Sequence, residues 1–165
     1  MHRLMLVMVY IFSFTFSLQA QTDSFDVFIY KTPEFFTTSI LPSRVQFTLT
    51  NSDTSSCSIT LYKSQMAADN VIQDVIRQWK EQVAKKLRKA SSNPLRILTE
   101  PLWDGWVSTL SIGNYYTGKK KCVVMLNSFR KNKTSACVVY TFTDKLFKGP
   151  IENFSQNLHL INPEK

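Results

Sequence analysis

The hydrophobic period of this chain changes once between residues 44 and 90, and that change restricts the fold more than any other feature. From Arg44 to Thr50 the residues alternate, with Val45, Phe47 and Leu49 on one face and Arg44, Gln46, Thr48 and Thr50 on the other. This is the pattern of a half-buried strand. The run NSDTSS has turn composition, and Cys57, Ile59 and Leu61 then alternate against Ser58, Thr60 and Tyr62, so a hairpin is expected. From Ala68 to Ala90 the spacing becomes three and four, through Val71, Ile72, Val75, Ile76, Trp79, Val83 and Leu87. Such a stripe predicts one long amphipathic helix. Asn70 and Gln73 have capping-box spacing. Asp69, Asp74 and Glu81 lie toward its start. Lys85, Lys86, Arg88 and Lys89 crowd its end, where cations complement the helix dipole. Asn93-Pro94 stops it.

The flanking segments read mostly as strands. SFDVFIYKT, with Phe25, Val27 and Ile29 alternating, is a first strand ended by Pro33. LRILTEPLWDGW is a short extended piece broken at Pro101 and followed by a turn at Asp104-Gly105. WVSTLSIGNYY, GKKKCVVMLNSF and TSACVVYTFTD are three further strands, the last two joined by the basic turn RKNK. The unbroken apolar centres of that pair predict central strands covered on one face by the long helix. Pro150, Ile151, Phe154, Leu158 and Ile161 predict a short C-terminal helix. Strands, long helix, strands and helix in that order give an α+β fold: an antiparallel sheet of about six strands with both helices packed on it.

Residues 1–20 have the form of a secretory leader. Arg3 supplies the positive charge, Leu4 to Leu18 the apolar segment, and Ala20 a small residue before the cut. The expected mature chain is a single α+β domain over residues 21–165, secreted or periplasmic, with no transmembrane segment after leader cleavage. A domain of that length buries roughly 70% of its unfolded surface, so disulfides are optional. Loss of the leader removes only Arg3 from the charge count, leaving 19 basic and 12 acidic residues and a net charge of +7. This balance suits solubility and is compatible with anionic surfaces. Cys57, Cys122 and Cys137 each sit in a strand-like run and are expected as buried free thiols. A Cys122–Cys137 disulfide across the last hairpin is the alternative.

The stretch ITLYKSQMAADNVIQDVIRQWKEQV, the DGW turn and the CVVMLNSF strand resemble a group of exported, uncharacterised Bacteroidota proteins and, more broadly, the PsbP-like fold. The resemblance spans most of residues 25–160. It rests on Leu61-Tyr62, Trp79 and Gly105-Trp106, which are packing positions. The group has no agreed activity, so the likeness implies architecture and export and assigns no functional residue.

Few residues point to chemistry. One histidine, His159, follows the leader, and a lone histidine near the tail lacks the partners a general base or triad needs. The three cysteines are single and far apart, unlike zinc ligands. The four glycines form no phosphate-binding loop, so no metal or cofactor is expected. Glu100 and Asp104 flank Trp103, and two acids beside Trp103 and Trp106 are compatible with glycoside cleavage, although Asp-Gly is also strong turn chemistry. Lys119 to Lys121 and the RKNK turn read as solvated strand ends, and an exported chain is not expected to meet nucleic acid. The reading is an exported, non-enzymatic binding or assembly module of the cell envelope. Its expected surface is the sheet face or loops opposite the long helix, with Trp103, Trp106, Tyr115 and Tyr116 as candidate contacts. The partner is an unidentified envelope protein or an anionic envelope component. The alternative is a hydrolase of envelope saccharides using Glu100 and Asp104.

Overall fold

A computed structural model describes residues 22–52 and 55–162; the side chain of Trp103 and residues 1–20, on which the expected leader falls, lie outside that description. Ten strands and two α-helices run through the described residues. A central sheet contains β3 (Thr37–Leu41), β4 (Arg44–Ser52), β5 (Ser55–Met66), β6 (Arg96–Pro101), β7 (Val107–Thr117), β8 (Lys120–Lys131) and β9 (Thr134–Phe142). Its order is β3-β4-β5-β9-β8-β7-β6, and every neighbouring pair is antiparallel. A second, antiparallel sheet of β1 (Thr22–Phe25), β2 (Phe28–Lys31) and β10 (His159–Leu160) has β2 in the middle.

The α+β class and the antiparallel sheet agree with the sequence pattern, whereas the strand count does not: seven and three stand where about six were expected. Asp26 takes a positive φ of 56° and folds SFDVFIYKT into the β1–β2 hairpin in place of one strand. β3 is exposed at all five positions, so no apolar alternation marks it. The β4–β5 and β8–β9 hairpins form as the alternation indicates, and β5, β9 and β8 are central.

The long helix is shorter than its periodicity suggests. α1 covers Val71–Trp79, with the side chain of Asn70 accepting from the Gln73 N–H at 3.0 Å. It continues as a π-helical turn over Lys80–Ala84, where the Lys85 N–H donates to the Lys80 carbonyl. The buried face also differs from the apolar stripe. Val75, Trp79 and Val83 are buried, but so are Asp74 and Gln78, while Ile72 and Ile76 are 46% and 47% exposed. Asp74 is fully enclosed because it is fully occupied: its carboxylate accepts from Arg77 and Arg130, each at 2.7 Å, and from the Ala68 N–H. Gln78 donates to the Ser135 hydroxyl at 2.8 Å.

Both sheet faces are covered. On one, Trp79 and Val83 pack on Tyr115, Cys122, Val124, Leu126, Cys137 and Val139. On the other, β2 and α2 (Lys148–Gln156) cover Phe47, Ile59, Leu61, Val138 and Tyr140. An aromatic cluster fixes this second layer: Tyr30 meets Phe47 edge-on at 5.5 Å between centroids, and Phe47 meets Phe154 at 5.6 Å, arrangements that add to simple burial. α2 stops at Gln156. His159, expected on the C-terminal helix, instead pairs with Ile29 in β10, and the Ile161 N–H donates to the Val27 carbonyl.

The three cysteines are free and buried. In the β8–β9 register Cys137 faces Ser128, six residues along from Cys122, which separates the two thiols by about 20 Å at strand rise. The 122–137 disulfide is therefore ruled out by geometry.

Candidate functional site

Strand parity decides what the open part of the structure presents. Along β7 the side chains of Thr109, Ser111 and Tyr115 turn toward α1 and are buried. Ser108 and Leu110, of opposite parity, turn to the other face and line a cleft there. The β1–β2 hairpin and α2 cover the β4–β5–β9 half of that face. Between α2–β10 and strands β7–β8 two adjoining hollows remain, sharing Asn127, Tyr140 and Ser155.

The larger hollow, about 550 Å³, is walled by Leu110, Met125, Phe142 and Ile151, with Lys145, Lys148 and Glu152 at its rim. The smaller, about 350 Å³, is lined by Leu102, Asp104, Trp106, Ser108, Phe129 and His159 besides the shared residues. An apolar trough running into a more polar end is the usual character of a ligand site. Trp106 forms part of the polar end. It is 1% exposed, and its indole N–H is buried with no hydrogen-bond partner. Such groups are rare, because leaving a buried donor unpaired costs about 1–3 kcal/mol.

The turn that carries Trp106 is held from two sides. Asp104 and Gly105 both have positive φ, 63° and 77°, a conformation Asp and Gly tolerate. Lys131 then donates to the Asp104 carbonyl and to the side chain of Asn162. The Leu102 N–H donates to the Trp106 carbonyl at 2.7 Å. Across the cleft the Ser155 hydroxyl bonds the Tyr140 hydroxyl at 3.2 Å. Burial raises the Tyr140 phenol to about 12, only partly offset by that bond.

The candidate contacts separate. Trp106 lines the cleft. Tyr116 is half-buried and shares the parity of Ser108 and Leu110 at the far end of β7. Tyr115 faces the opposite way into the α1 core, and the buried phenol is raised, by desolvation first and by Cys122 second. Trp103 lies outside the described side chains. Of the two acids, Asp104 lines the cleft, while Glu100 is exposed and sits opposite Ser108 in the β6–β7 register, on the cleft side. Ser155, Asp104 and His159 border the same hollow, yet no Ser155–His159 hydrogen bond joins them among the described residues. The hollow against α2 had no sequence signal beyond the apolar spacing that includes Ile151, because its wall is assembled from three strands, β7, β8 and β9, besides α2.

No protein-family model matches the chain, and no curated protein matches it. Solved structures do. The chain is similar to the cyanobacterial PsbP protein (CyanoP) of Synechocystis sp. PCC 6803, at 12% identity and TM-score 0.55, over 86% of this chain and 92% of that one. A Bacteroides thetaiotaomicron VPI-5482 structure matches at 12% identity and TM-score 0.52, over 88% of this chain and half of its own length. A Pseudomonas aeruginosa protein of unknown function matches at 12% identity and TM-score 0.51, over 79% of this chain and 99% of that one. At this identity the likeness is one of architecture, and the chain has a PsbP-like fold.

Proposed function

We propose that the chain is an exported, non-enzymatic binding module of the cell envelope, and that its ligand lies in the cleft between α2–β10 and strands β7–β8. The unpaired Trp106 N–H at the more polar end of a largely apolar trough carries this reading. A ligand with an apolar body and one hydrogen-bond acceptor matches both parts of the wall. The leader segment supports export. Hydrolysis of envelope saccharides is the second reading, favoured by Glu100 and Asp104 sharing the cleft side.

Two measurements separate the readings. The neutral apolar dye N-phenyl-1-naphthylamine should bind the purified protein saturably and lose affinity in Leu110→Arg, with Ile72→Arg on the exposed side of α1 as the unaffected control. Equal binding by Leu110→Arg would refute the cleft. Turnover of envelope saccharides that disappears in Glu100→Gln/Asp104→Asn would refute the non-enzymatic assignment in favour of the hydrolase.

A further inference from the structure

On the opposite face of the sheet, four irregularities meet at one place. The β5–β9 register slips between Tyr62 and Gln65, and such bulges re-aim side chains at functional positions. Facing the bulge, α1 passes into its π-helical turn, a feature also frequent at functional sites. Gln78, Gln82 and Lys86, spaced four apart, line the resulting groove of about 270 Å³ together with Tyr62 and Cys137. One buried polar atom of the groove lining, the Gln78 side-chain oxygen, has no partner, and neither has Nε of Arg44, which stands beside the groove next to Ser43 in the chain.

The charge there is one-sided. Arg44 is opposite Tyr62 in the β4–β5 register, and its positive charge partly offsets the rise that burial gives the Tyr62 phenol. Lys86 Nζ stands 4.4 Å from the centre of the Tyr62 ring and donates to Gln82 Oε1 at 2.5 Å. Among the described residues neither Arg44 nor Lys86 forms an ion pair. The ammonium of Lys86 is held below its ordinary pKa by burial and then by Arg44; Cys137 and Glu81 act in the other direction. Two unneutralised cations, beside an unpaired guanidinium N–H, are what an anion would relieve. Gln78 fits the same ligand: after a half-turn of its amide, the oxygen accepts from the Ser135 hydroxyl and the N–H2 becomes the free end.

We propose that this groove is an oxyanion site that takes a phosphate group, held by Arg44 and Lys86, with Gln78 as a neutral donor. Charge-assisted hydrogen bonds from guanidinium and ammonium are the strong ones. The phosphate is either free or the headgroup of a lipid. Neither source involves the cleft on the other face, so the site stands independently of that reading.

The test is titration of the full chain with inorganic phosphate, followed by side-chain NMR of Lys86 and Gln78, and in parallel with phosphatidylcholine vesicles with and without phosphatidic acid. Saturable binding to either probe, with Lys86 and Gln78 resonances moving together, is expected. Lys86→Gln changes an exposed position and should weaken it about tenfold or more. Arg44→Gln should do the same where the variant folds. Lys119→Gln on the β7–β8 turn should have no effect. Response to free phosphate identifies a soluble ligand, and response to phosphatidic acid vesicles alone identifies a lipid headgroup. Unsaturable shifts spread over surface lysines, or equal losses in Lys86→Gln and Lys119→Gln, would overturn the proposal.

Discussion

Trp79 fills the space that a side chain at position 113 would need. A Cβ on Gly113 would lie 2.6 Å from Cζ2 and Cη2 of the indole and 2.8 Å from the Ser91 hydroxyl. The indole N–H reaches past the strand to donate to the Ser91 carbonyl at 2.9 Å. The absent side chain on β7 thus seats α1 on the sheet. Gly113→Ala should destabilise the fold by about 1–3 kcal/mol through overpacking. Urea unfolding should show a lower midpoint at unchanged slope. Pairing it with Trp79→Phe should give a non-additive cycle, since the two groups compete for one volume.

Asp74 and Arg130 join α1 to β8 through a carboxylate that is fully buried. Asp74→Ala leaves Arg77 and Arg130 without their shared partner and should cost about 3–5 kcal/mol. Arg130→Met should cost less, because Arg77 and the Ala68 N–H still satisfy the carboxylate. Chemical denaturation of both variants checks the order; equal losses would contradict it.

Ile72→Ala and Ile76→Ala are expected to change stability by no more than about 0.5 kcal/mol, as exposed positions do. Val75→Ala should cost clearly more, since it is buried. Urea midpoints of the three variants would show whether the buried face of α1 runs through Asp74 and Gln78 and not through the two isoleucines.

That helix also shows how far the sequence was legible. The period switch, the Asn70 cap and the alternation in β4 and β5 all have local causes, and all agree with the structure. The choice between Ile72 and Asp74 does not, because it depends on Arg130, 56 residues away from Asp74 in the chain. β3 was hidden for a related reason: an edge strand exposed on both faces needs no apolar alternation. The cleft was legible only in part. Its side of the sheet followed from placing α1 on the other side, and Trp106 was singled out. Tyr115 was not separable from Tyr116, because adjacent residues on a strand look alike until one face is known to be α1's.

The thiols should be silent in the native protein. Burial raises Cys57 and Cys137 from the ordinary 9.0 to about 12. Raised folded-state values favour the protonated native form, so their contribution is complete below about pH 9 and is lost as pH rises toward 12. Stability should therefore fall between pH 9 and 12, with a shallower fall in Cys137→Ala. At pH 8 a disulfide reagent should label no thiol rapidly without denaturant and all three with it. Peptide mapping after mild oxidation should find no 122–137 bridge.

The cleft is tested most directly by the indole N–H resonances of Trp106 and Trp79, which lie on opposite faces of the sheet. On addition of N-phenyl-1-naphthylamine the Trp106 signal should shift saturably, together with the backbone signals of Leu110 and Met125, while the Trp79 signal stays in place. A shift of Trp79 with Trp106 unmoved would put the ligand on the wrong side of the sheet and contradict the account.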